Sequence, residues 1–414
     1  MVSKFAKELD IDNVANFETT TLAETNKKTP IPSGVLPKET DMTGPSGGTE
    51  PRPELSSASG GDKRVAAFEI HFRQYLDATA TLVAEPPPFA RDRDTMIALY
   101  RTMTLARIFD AKAVALQRTG QLGTYPSCAG QEAIGVGYAA AMTAADVMTI
   151  TYREQAAQIW RGVTLTELLQ YWGGDERGCD YKVPREDFPP AVPIASQAPH
   201  AVGIAAAFKL RKERRVAVTV MGDGATSKGD FYELVNLAGA WRLPVVFLVI
   251  NNHWAISMPR EKQTAAETLA QKAIAGGIPG IQIDGNDIIA ERQVMGEVIE
   301  RAREGGGPTV VEALSYRMGD HTTADDASRY RREELVSAAW KLDPLARARA
   351  YLAHQHRWTK EDEEQLIAEC RAKVDAAVTE YLKIPPPLPV SMFDHLFETL
   401  PAALQWQRKN FEGR

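Results

Sequence analysis

An aspartate stands between two glycines at the end of a β-branched run, in the segment VTVMGDGATSKGDF, residues 218–231. A glycine-rich turn between a strand and a helix is typical of phosphate binding, because backbone amides and the helix dipole attract anions. The turn matches neither GxGxxG nor GxxxxGK[ST], since Lys228 precedes Gly229. If the carboxylate of Asp223 faces a phosphate, a cation is needed between them, and Mg²⁺ commonly bridges the two groups.

An asparagine pair, Asn251 and Asn252, follows the glycine turn after 26 residues (225–250). This is the length of one helix and one strand in a βαβ unit, so we expect the pair to return beside the turn. An amide oxygen there can complete the shell of a cation without adding a second negative charge near the phosphates. The sequence therefore predicts a magnesium–phosphate site. The alternative is a tight turn with a solvent-facing Asp223.

The elements that must position these residues alternate along the middle of the chain. Apolar, β-branched runs predict strands over 214–221, 243–252, 278–287 and 308–317. Helical spacing predicts helices over 92–119, 130–142, 201–210, 228–242, 264–277 and 287–305, followed by charged helices over 343–356 and 359–382. Such alternation predicts an α/β fold, a parallel sheet with helices on both faces. Ligands of such sheets bind beyond the carboxyl ends of the strands.

Composition suggests three parts of the chain. Residues 1–62 are rich in Thr, Pro, Gly and Ser and are predicted to be a disordered or extended tail. Residues 63–332 are predicted to be the α/β domain, and residues 333–414 a C-terminal helical extension packed on it. Small residues in 130–142 and 201–210 allow close helix packing, either within the core or at a subunit interface.

Charge and cysteine content exclude several classes of protein. A net charge of -6 argues against a nucleic-acid partner, which usually selects a basic surface. The three cysteines lie far apart and fit neither a disulfide framework nor a CxxC metal site, which favours a reducing, cytoplasmic location. We also expect no membrane association, because no apolar run reaches the roughly 18 residues that span a bilayer.

The spacing GDG, 26 residues (225–250), NN resembles the fingerprint of thiamine diphosphate binding. From about Phe89 to the C-terminus, the chain resembles the alpha subunit of the decarboxylating component of 2-oxo acid dehydrogenase complexes. The segments that carry this resemblance, besides the GDG…NN unit, are GTYPSCAGQEA (123–133), TYREQ (151–155), IDGND (283–287) and YRMGDHTTADDASRYR (316–331). The resemblance implies a thiamine-diphosphate-binding fold with thiamine diphosphate and Mg²⁺ as cofactors.

The resemblance also assigns residues to the cofactors. It implies that Asp223, Asn252 and the backbone carbonyl of Trp254 are ligands of Mg²⁺. The residues it places at thiamine diphosphate are Tyr152, Arg153, Val192, Ile194, Gly222, Asp223, Gly224, Ala225, Asn252 and His321.

Catalytic roles are implied for two residues. His321 matches a loop histidine near the reacting part of the cofactor, and Tyr125 lies where branched-chain relatives carry an aromatic near the active centre. Arg317 and Asp325 match an ion pair that orders the histidine loop. Thr322 occupies the position of a regulatory phosphoserine in mitochondrial relatives; nothing in the sequence indicates a kinase, so we predict a plain loop hydroxyl.

The resemblance implies partners and a reaction. An α2β2 heterotetramer with a beta subunit would decarboxylate a 2-oxo acid and reductively acylate lipoyl groups of a dihydrolipoamide acyltransferase. Residues 262–287 are most similar to bacterial pyruvate members, so pyruvate is favoured, with branched-chain 2-oxo acids and acetoin as alternatives. The activating glutamate belongs to the beta subunit in this family, so we predict that the chain alone is inactive. A catalytically silent regulatory subunit of the same fold is the further alternative.

Overall fold

The computed structural model describes residues 64–413, and the tail predicted for residues 1–62 lies outside them. The strands are β1 (His71–Arg73), β2 (Val147–Thr149), β3 (Ala217–Gly222), β4 (Val245–Asn251), β5 (Trp254–Ala255), β6 (Met258–Pro259), β7 (Gly280–Asp284) and β8 (Thr309–Leu314). Six of them form a parallel sheet in the order β1-β7-β8-β4-β3-β2. The remaining pair, β5 and β6, forms a small antiparallel ribbon.

Twelve α-helices surround the sheet in the described part of the chain. They are α1 (Pro88–Arg91), α2 (Arg93–Arg118), α3 (Glu132–Ala141), α4 (Gln155–Arg161), α5 (Leu165–Trp172), α6 (Gln197–Arg211), α7 (Gly229–Ala240), α8 (Ile288–Arg303), α9 (Glu333–Trp340), α10 (Pro344–His356), α11 (Lys360–Tyr381) and α12 (Ala402–Lys409). Between residues 64 and 413, no helix is long and apolar enough to cross a membrane.

The central strands are buried on both faces. Every residue of β4 is buried, as is all of β3 except its last residue, Gly222. On one face, α3, α4 and α8 contribute Ile134, Ala157 and Val294 to the core. On the other face, α6 and α7 contribute Ala201 and Phe231. The predicted α/β fold, a parallel sheet with helices on both faces, is confirmed.

The small residues of α3 serve packing inside the chain. A Cβ atom on Gly137 would lie 2.5 Å from the Cγ of Glu291 in α8, and one on Gly135 would lie 2.9 Å from the Cβ of Ala156 in α4. Side chains at either glycine would push these helices away from the sheet. For residues 130–142, the structure therefore favours close packing within the core over a subunit interface.

The C-terminal helices pack on α2 in a further layer. The hydroxyl of Tyr100 in α2 donates to Glu363 of α11 at 2.8 Å. Arg107 of α2 donates to Asp343, which precedes α10, at 2.8 Å. Residues from Ala66 onward form one compact unit, so these helices share it with the sheet.

The structure differs from the sequence-based prediction in one helix and in several short elements that were not predicted, among them β1, β2, β5, β6, α4 and α5. The helix predicted over 264–277 is only a 3₁₀ segment, Ala270–Gly276, although Gly277 caps it in the left-handed conformation. The buried carboxylate of Glu312 in β8 accepts from the amides of Leu269 and Ala270, which a longer helix would have bonded to its own carbonyls. The edge strand β1 was not predicted, because three exposed residues carry no recognisable periodicity.

Glu312 accepts hydrogen bonds from three separate segments at the centre of the sheet. Its carboxylate is fully buried and also accepts from the side chain of Asn251 at 2.7 Å and from that of Gln282 at 3.0 Å. The sequence VVEAL offers no indication that its glutamate is internal. Because four donors converge on one carboxylate, the end of β4 is fixed directly beside Asn252.

We expect Glu312→Ala to lower the free energy of unfolding by on the order of 3–5 kcal/mol, since it leaves buried donors without a partner. Urea unfolding of the chain alone, followed by circular dichroism, measures this loss. Gln282→Ala is the matched control, because it removes one donor and leaves the carboxylate with three others; its expected cost is about 1 kcal/mol. Equal effects of the two substitutions would contradict the role assigned to Glu312.

Candidate functional site

A cavity lies beyond the carboxyl ends of β3 and β4, where the sequence analysis expects a ligand of a parallel sheet. It brings together all the predicted site residues except Tyr125 and Val192. Those that line it are Tyr152, Arg153, Ile194, Gly222, Asp223, Gly224, Ala225, Asn252, Trp254 and His321. Residues separated by up to 169 positions (152 to 321) therefore meet in one place.

The glycine turn continues from β3 into a 3₁₀ segment, Asp223–Ser227, before α7 begins. A Cβ atom on Gly222 would meet no atom of residues 64–413 within 4 Å, apart from those of its two chain neighbours, so the turn leaves open space at that point. On Gly224 it would lie 2.6 Å from the Cβ of Ala255, so a side chain there would displace the β5–β6 ribbon. The first glycine leaves room for a ligand, and the second permits close contact between turn and ribbon.

The carboxylate of Asp223 is buried, and no positively charged group among residues 64–413 is bonded to it. The residue is 3% exposed, and its carboxylate accepts a hydrogen bond from Nε2 of Gln263 at 2.9 Å. Burial raises the pKa of Asp223 to about 6, although the bond from Gln263 and the charge of Arg317 act in the opposite direction. A desolvated carboxylate of this kind favours a cation as its ligand.

Asn252 and Trp254 lie where they could complete a cation site with Asp223. All three line the cavity, and Asn252 is 7% exposed. The side-chain oxygen of Asn252 accepts from the amide of Trp254 at 3.2 Å, which holds the two residues together. No group of three or more His, Cys, Asp or Glu within residues 64–413 could hold a metal. The predicted site is of a different kind, since it combines one carboxylate with an amide and a carbonyl oxygen, donors that suit Mg²⁺.

Two residues that hold the glycine turn were missed by the sequence analysis. Gln263 is the hydrogen-bond donor to Asp223. Lys272, only 6% exposed, donates to the carbonyl of Thr226 at 2.9 Å and to its hydroxyl at 2.8 Å. Both lie in the segment whose similarity to pyruvate relatives was noticed as a whole, without roles for individual residues. Gln263 and Lys272, which follow β4 in the chain, therefore stabilise the glycine turn that follows β3.

Arg153 and His321 lie against each other, and both line the cavity. Arg153 is 6% exposed and donates to the carbonyl of Ser127 at 2.6 Å and to the carbonyl of His321 at 2.9 Å. Its Nη2 lies 3.3 Å from Nδ1 of His321. The imidazole also packs edge-on against Tyr152, with ring centroids 5.9 Å apart. The guanidinium thus positions the histidine loop as well as lining the cavity.

The predicted ion pair between Arg317 and Asp325 needs correction, because Tyr330 bridges the two groups. Arg317 donates to the Tyr330 hydroxyl at 2.7 Å, and this hydroxyl makes a short hydrogen bond to Asp325. Arg317 also donates to the carbonyl of Ile256 at 2.8 Å. Ile256 has a φ of 55°, a strained conformation for a β-branched residue. The fully buried arginine therefore stabilises the ribbon turn and the histidine loop together.

The catalytic role predicted for Tyr125 is not supported by its position. Tyr125 is fully buried, does not line the cavity, and packs its ring on Trp172. Its hydroxyl donates to Asp110 at 3.0 Å, and Asp110 also accepts from the Ser127 hydroxyl at 2.6 Å. The residue that the resemblance placed near the active centre instead fixes the loop whose carbonyl receives Arg153.

The remaining predicted residues divide between the cavity and the surface. Ile194 lines the cavity, whereas Val192 does not line it and is 57% exposed. Thr322 accepts from the amide of Ala324 at 3.2 Å, which agrees with a loop hydroxyl. Glu154, next to Arg153, also lines the cavity, and burial raises its pKa to about 7. The sequence analysis quoted Glu154 within TYREQ but gave it no role.

Known proteins are similar to this sequence over most of its length. Residues 100–389 match the family described as the dehydrogenase E1 component. Over 278 residues, the chain is 45% identical to the 3-methyl-2-oxobutanoate dehydrogenase subunit alpha of Mycobacterium tuberculosis, covering 67% of this chain and 76% of that protein. Over 343 residues, it is 39% identical to the pyruvate dehydrogenase E1 component subunit alpha of Staphylococcus aureus, covering 82% and 92% respectively. The resemblance predicted from the sequence is confirmed, and the chain belongs to the dehydrogenase E1 component family.

Proposed function

We propose that this chain is the alpha subunit of a 2-oxo acid dehydrogenase, with pyruvate as the favoured substrate. Together with a beta subunit in an α2β2 heterotetramer, it decarboxylates the 2-oxo acid on thiamine diphosphate and reductively acylates the lipoyl groups of a dihydrolipoamide acyltransferase. The observation that carries the proposal is the convergence of Asp223, Asn252, Arg153 and His321 on one cavity.

The cavity residues fit a magnesium-bound diphosphate. Asp223 offers the buried carboxylate, and Asn252 and the carbonyl of Trp254 offer neutral oxygens, so these three would hold Mg²⁺. The open space at Gly222 leaves room for the diphosphate, and the guanidinium of Arg153 matches its remaining oxygens. Thiamine diphosphate, once bound, supplies the carbon nucleophile and electron sink that decarboxylation requires.

The rest of the chemistry assigned to this chain is binding and positioning. Arg153 holds the histidine loop through the His321 carbonyl, and the Tyr330 bridge fixes the same loop from its other end. Ile194 and Ile256 present apolar side chains at the cavity, where they exclude water from bound ligand. His321 faces the reacting groups as a polar side chain that stabilises charge.

The two relatives are named for different 2-oxo acids. The relative from M. tuberculosis is named for 3-methyl-2-oxobutanoate and is 45% identical over the shorter match. The relative from S. aureus is named for pyruvate and is 39% identical over the longer match. We favour pyruvate because residues 262–287, which include Gln263 and Lys272 behind the glycine turn, are most similar to bacterial pyruvate members.

We expect the purified chain alone to show no decarboxylation above background, and co-expression with a compatible beta subunit to restore it. The reason is that the activating glutamate is assigned to the beta subunit. Release of carbon dioxide from pyruvate and from 3-methyl-2-oxobutanoate is measured with thiamine diphosphate and Mg²⁺ supplied.

The matched control is the same pair of subunits carrying Asp223→Ala, which should be inactive with either acid. Turnover by the single chain would refute the subunit assignment. Full activity of the complex with Asp223→Ala would instead support the silent regulatory subunit of the same fold.

A further inference from the structure

We infer that His321 meets its ligand as a neutral imidazole with the proton on Nε2, and that Arg317 is the positioning residue that fixes this tautomer together with Arg153. Only the identity of the ligand that His321 faces rests on the proposed function. The tautomer itself follows from the groups around the ring.

Two guanidinium groups face the same ring nitrogen. Nδ1 of His321 lies 3.3 Å from Nη2 of Arg153 and 3.4 Å from Nη1 of Arg317. An arginine has only donors and keeps its charge at every physiological pH. A ring nitrogen that faces two obligatory donors must accept, so Nδ1 carries no proton. In a neutral imidazole the proton is then on Nε2.

The ring cannot easily turn to exchange its two nitrogens. The backbone amide of His321 donates to Asp325 at 2.9 Å, and its carbonyl accepts from Arg153 at 2.9 Å. Tyr152 packs against the ring at an interplanar angle of 88°. The two hydrogen bonds fix the backbone on both sides of the Cα atom, and the edge-on packing of Tyr152 restricts rotation of the ring about its Cβ–Cγ bond.

The charged groups around the ring oppose its protonation. Burial, followed by the charges of Arg153 and Arg317, lowers the pKa of His321 to about 4, while Asp325 acts weakly in the other direction. Tyr152 is the other titratable group that packs against the ring. An imidazolium would place a third positive charge beside two guanidinium groups.

The consequence is a hydrogen-bond donor that does not change its protonation state near neutral pH. Nε2 makes no hydrogen bond to any of residues 64–413, and the residue lines the cavity, so its N–H is available to a ligand. Such a group stabilises negative charge on an oxygen or sulfur by donating a hydrogen bond. It is not a source of protons near neutral pH, because it is already in its basic form.

Nuclear magnetic resonance of the full chain, labelled with ¹⁵N in histidine, tests the tautomer. Long-range proton–nitrogen correlations distinguish an Nε2–H ring from an Nδ1–H ring and from an imidazolium. His321→Asn identifies the signal among the seven histidines. We expect the Nε2–H pattern, unchanged from pH 8 to pH 5.5. An Nδ1–H pattern, or titration near the usual value of about 6.5, would overturn the inference.

Arg317→Lys tests the positioning role. A lysine cannot place donors on the ring, on the Ile256 carbonyl and on the Tyr330 hydroxyl at once, so mixed tautomers and an upward shift of the His321 titration are expected. Arg331→Lys is the matched control, because Arg331 is buried in the same loop and its donors meet backbone carbonyls, those of residues 317–319, and not the histidine ring. An unchanged signal in Arg317→Lys would contradict the positioning role. If that variant does not fold, the wild-type titration still decides the tautomer.

Activity of the complex with a beta subunit tests the donor role. His321→Gln keeps an amide donor at a similar reach, so we expect it to retain clearly more reductive acylation than His321→Ala, which should lose about 100-fold. Equal loss in both variants would contradict a donor role. A wild-type complex without any activity on 2-oxo acids would reject the proposed function and leave the resonance result for the tautomer unaffected.

Discussion

Asp223→Asn should make the chain alone more stable while removing its response to the cofactor. Burial raises the pKa of Asp223 from its ordinary value of 3.8 to about 6, so the folded protein opposes ionisation of this side chain. The difference corresponds to about 3 kcal/mol at pH 7.5, since each tenfold change in an ionisation constant is about 1.4 kcal/mol. Asparagine avoids this cost because it carries no charge.

The sign of the pH dependence follows from the same numbers. Between pH 3.8 and about pH 6, the folded state binds more protons at Asp223 than the unfolded state does, so the contribution of this group to stability falls as pH rises. The advantage of Asp223→Asn is therefore complete above about pH 6 and disappears near pH 4. Urea midpoints of the chain alone, measured across this range, give the difference between the two proteins.

The gain in stability is expected to accompany a loss of function. Thiamine diphosphate with Mg²⁺ should raise the melting temperature of the wild-type complex but not that of the variant, because the carboxylate ligand is gone. Activity should fall by roughly 100-fold or more, the result of leaving the diphosphate charge unpaired. Asp230→Asn is the control and should change neither quantity much, because this half-buried aspartate, seven residues along the chain (223 to 230), pairs with Lys228 and does not line the cavity. A variant that is less stable than wild type at pH 7.5 would contradict the reasoning.

Arg153→Lys should weaken the binding of thiamine diphosphate by about 100-fold, the typical cost of breaking a buried, charged hydrogen-bond network. Arg153 reaches the carbonyls of Ser127 and His321 while its guanidinium also faces the cavity, and a lysine ammonium cannot occupy these positions at once. Titration of the complex with thiamine diphosphate at fixed Mg²⁺ gives the affinity, and steady-state kinetics give kcat and KM for the cofactor.

The matched control for this prediction is Arg161→Lys. Arg161 lies on α4, its side chain is 5% exposed, and it pairs with Asp187 away from the cavity. It should lower stability and leave cofactor affinity unchanged. If the two variants lost affinity equally, the effect of Arg153 would be one of general stability, and its assignment to the diphosphate would be wrong.

The sequence predicts those site residues whose positions are determined by the ends of neighbouring strands. A GDG turn and an NN pair end two neighbouring strands, and parallel strands end at the same edge of a sheet, so their approach follows from spacing alone. The positions of Arg153 and His321 do not follow from the spacing of strands along the chain. These two residues became candidates only through the resemblance to a known family, and the structure places both at the cavity.

What the sequence does not predict depends on contacts between distant loops. Gln263, Lys272 and Tyr330 are polar residues in loops or short 3₁₀ segments, where no pattern separates a solvated side chain from one that holds a turn. Tyr125 is the opposite case. The resemblance implied a catalytic role for it, whereas in the structure its hydroxyl donates to the buried carboxylate of Asp110, on a helix earlier in the chain, and the residue does not line the cavity.

The four hydrogen bonds that Glu312 accepts also determine which parts of the molecule can open locally. Their donors belong to the end of β4, to the segment at 269–270 that leads to Lys272, and to β7, so none of these can open without breaking bonds in the middle of the sheet. Amide protons on that side of the cavity should exchange only when the whole unit unfolds. We therefore expect the local opening that admits a ligand to involve the ribbon at 254–259 and the loop at 317–330, which are joined by hydrogen bonds of Arg317 and by packing of Trp254 on Tyr330.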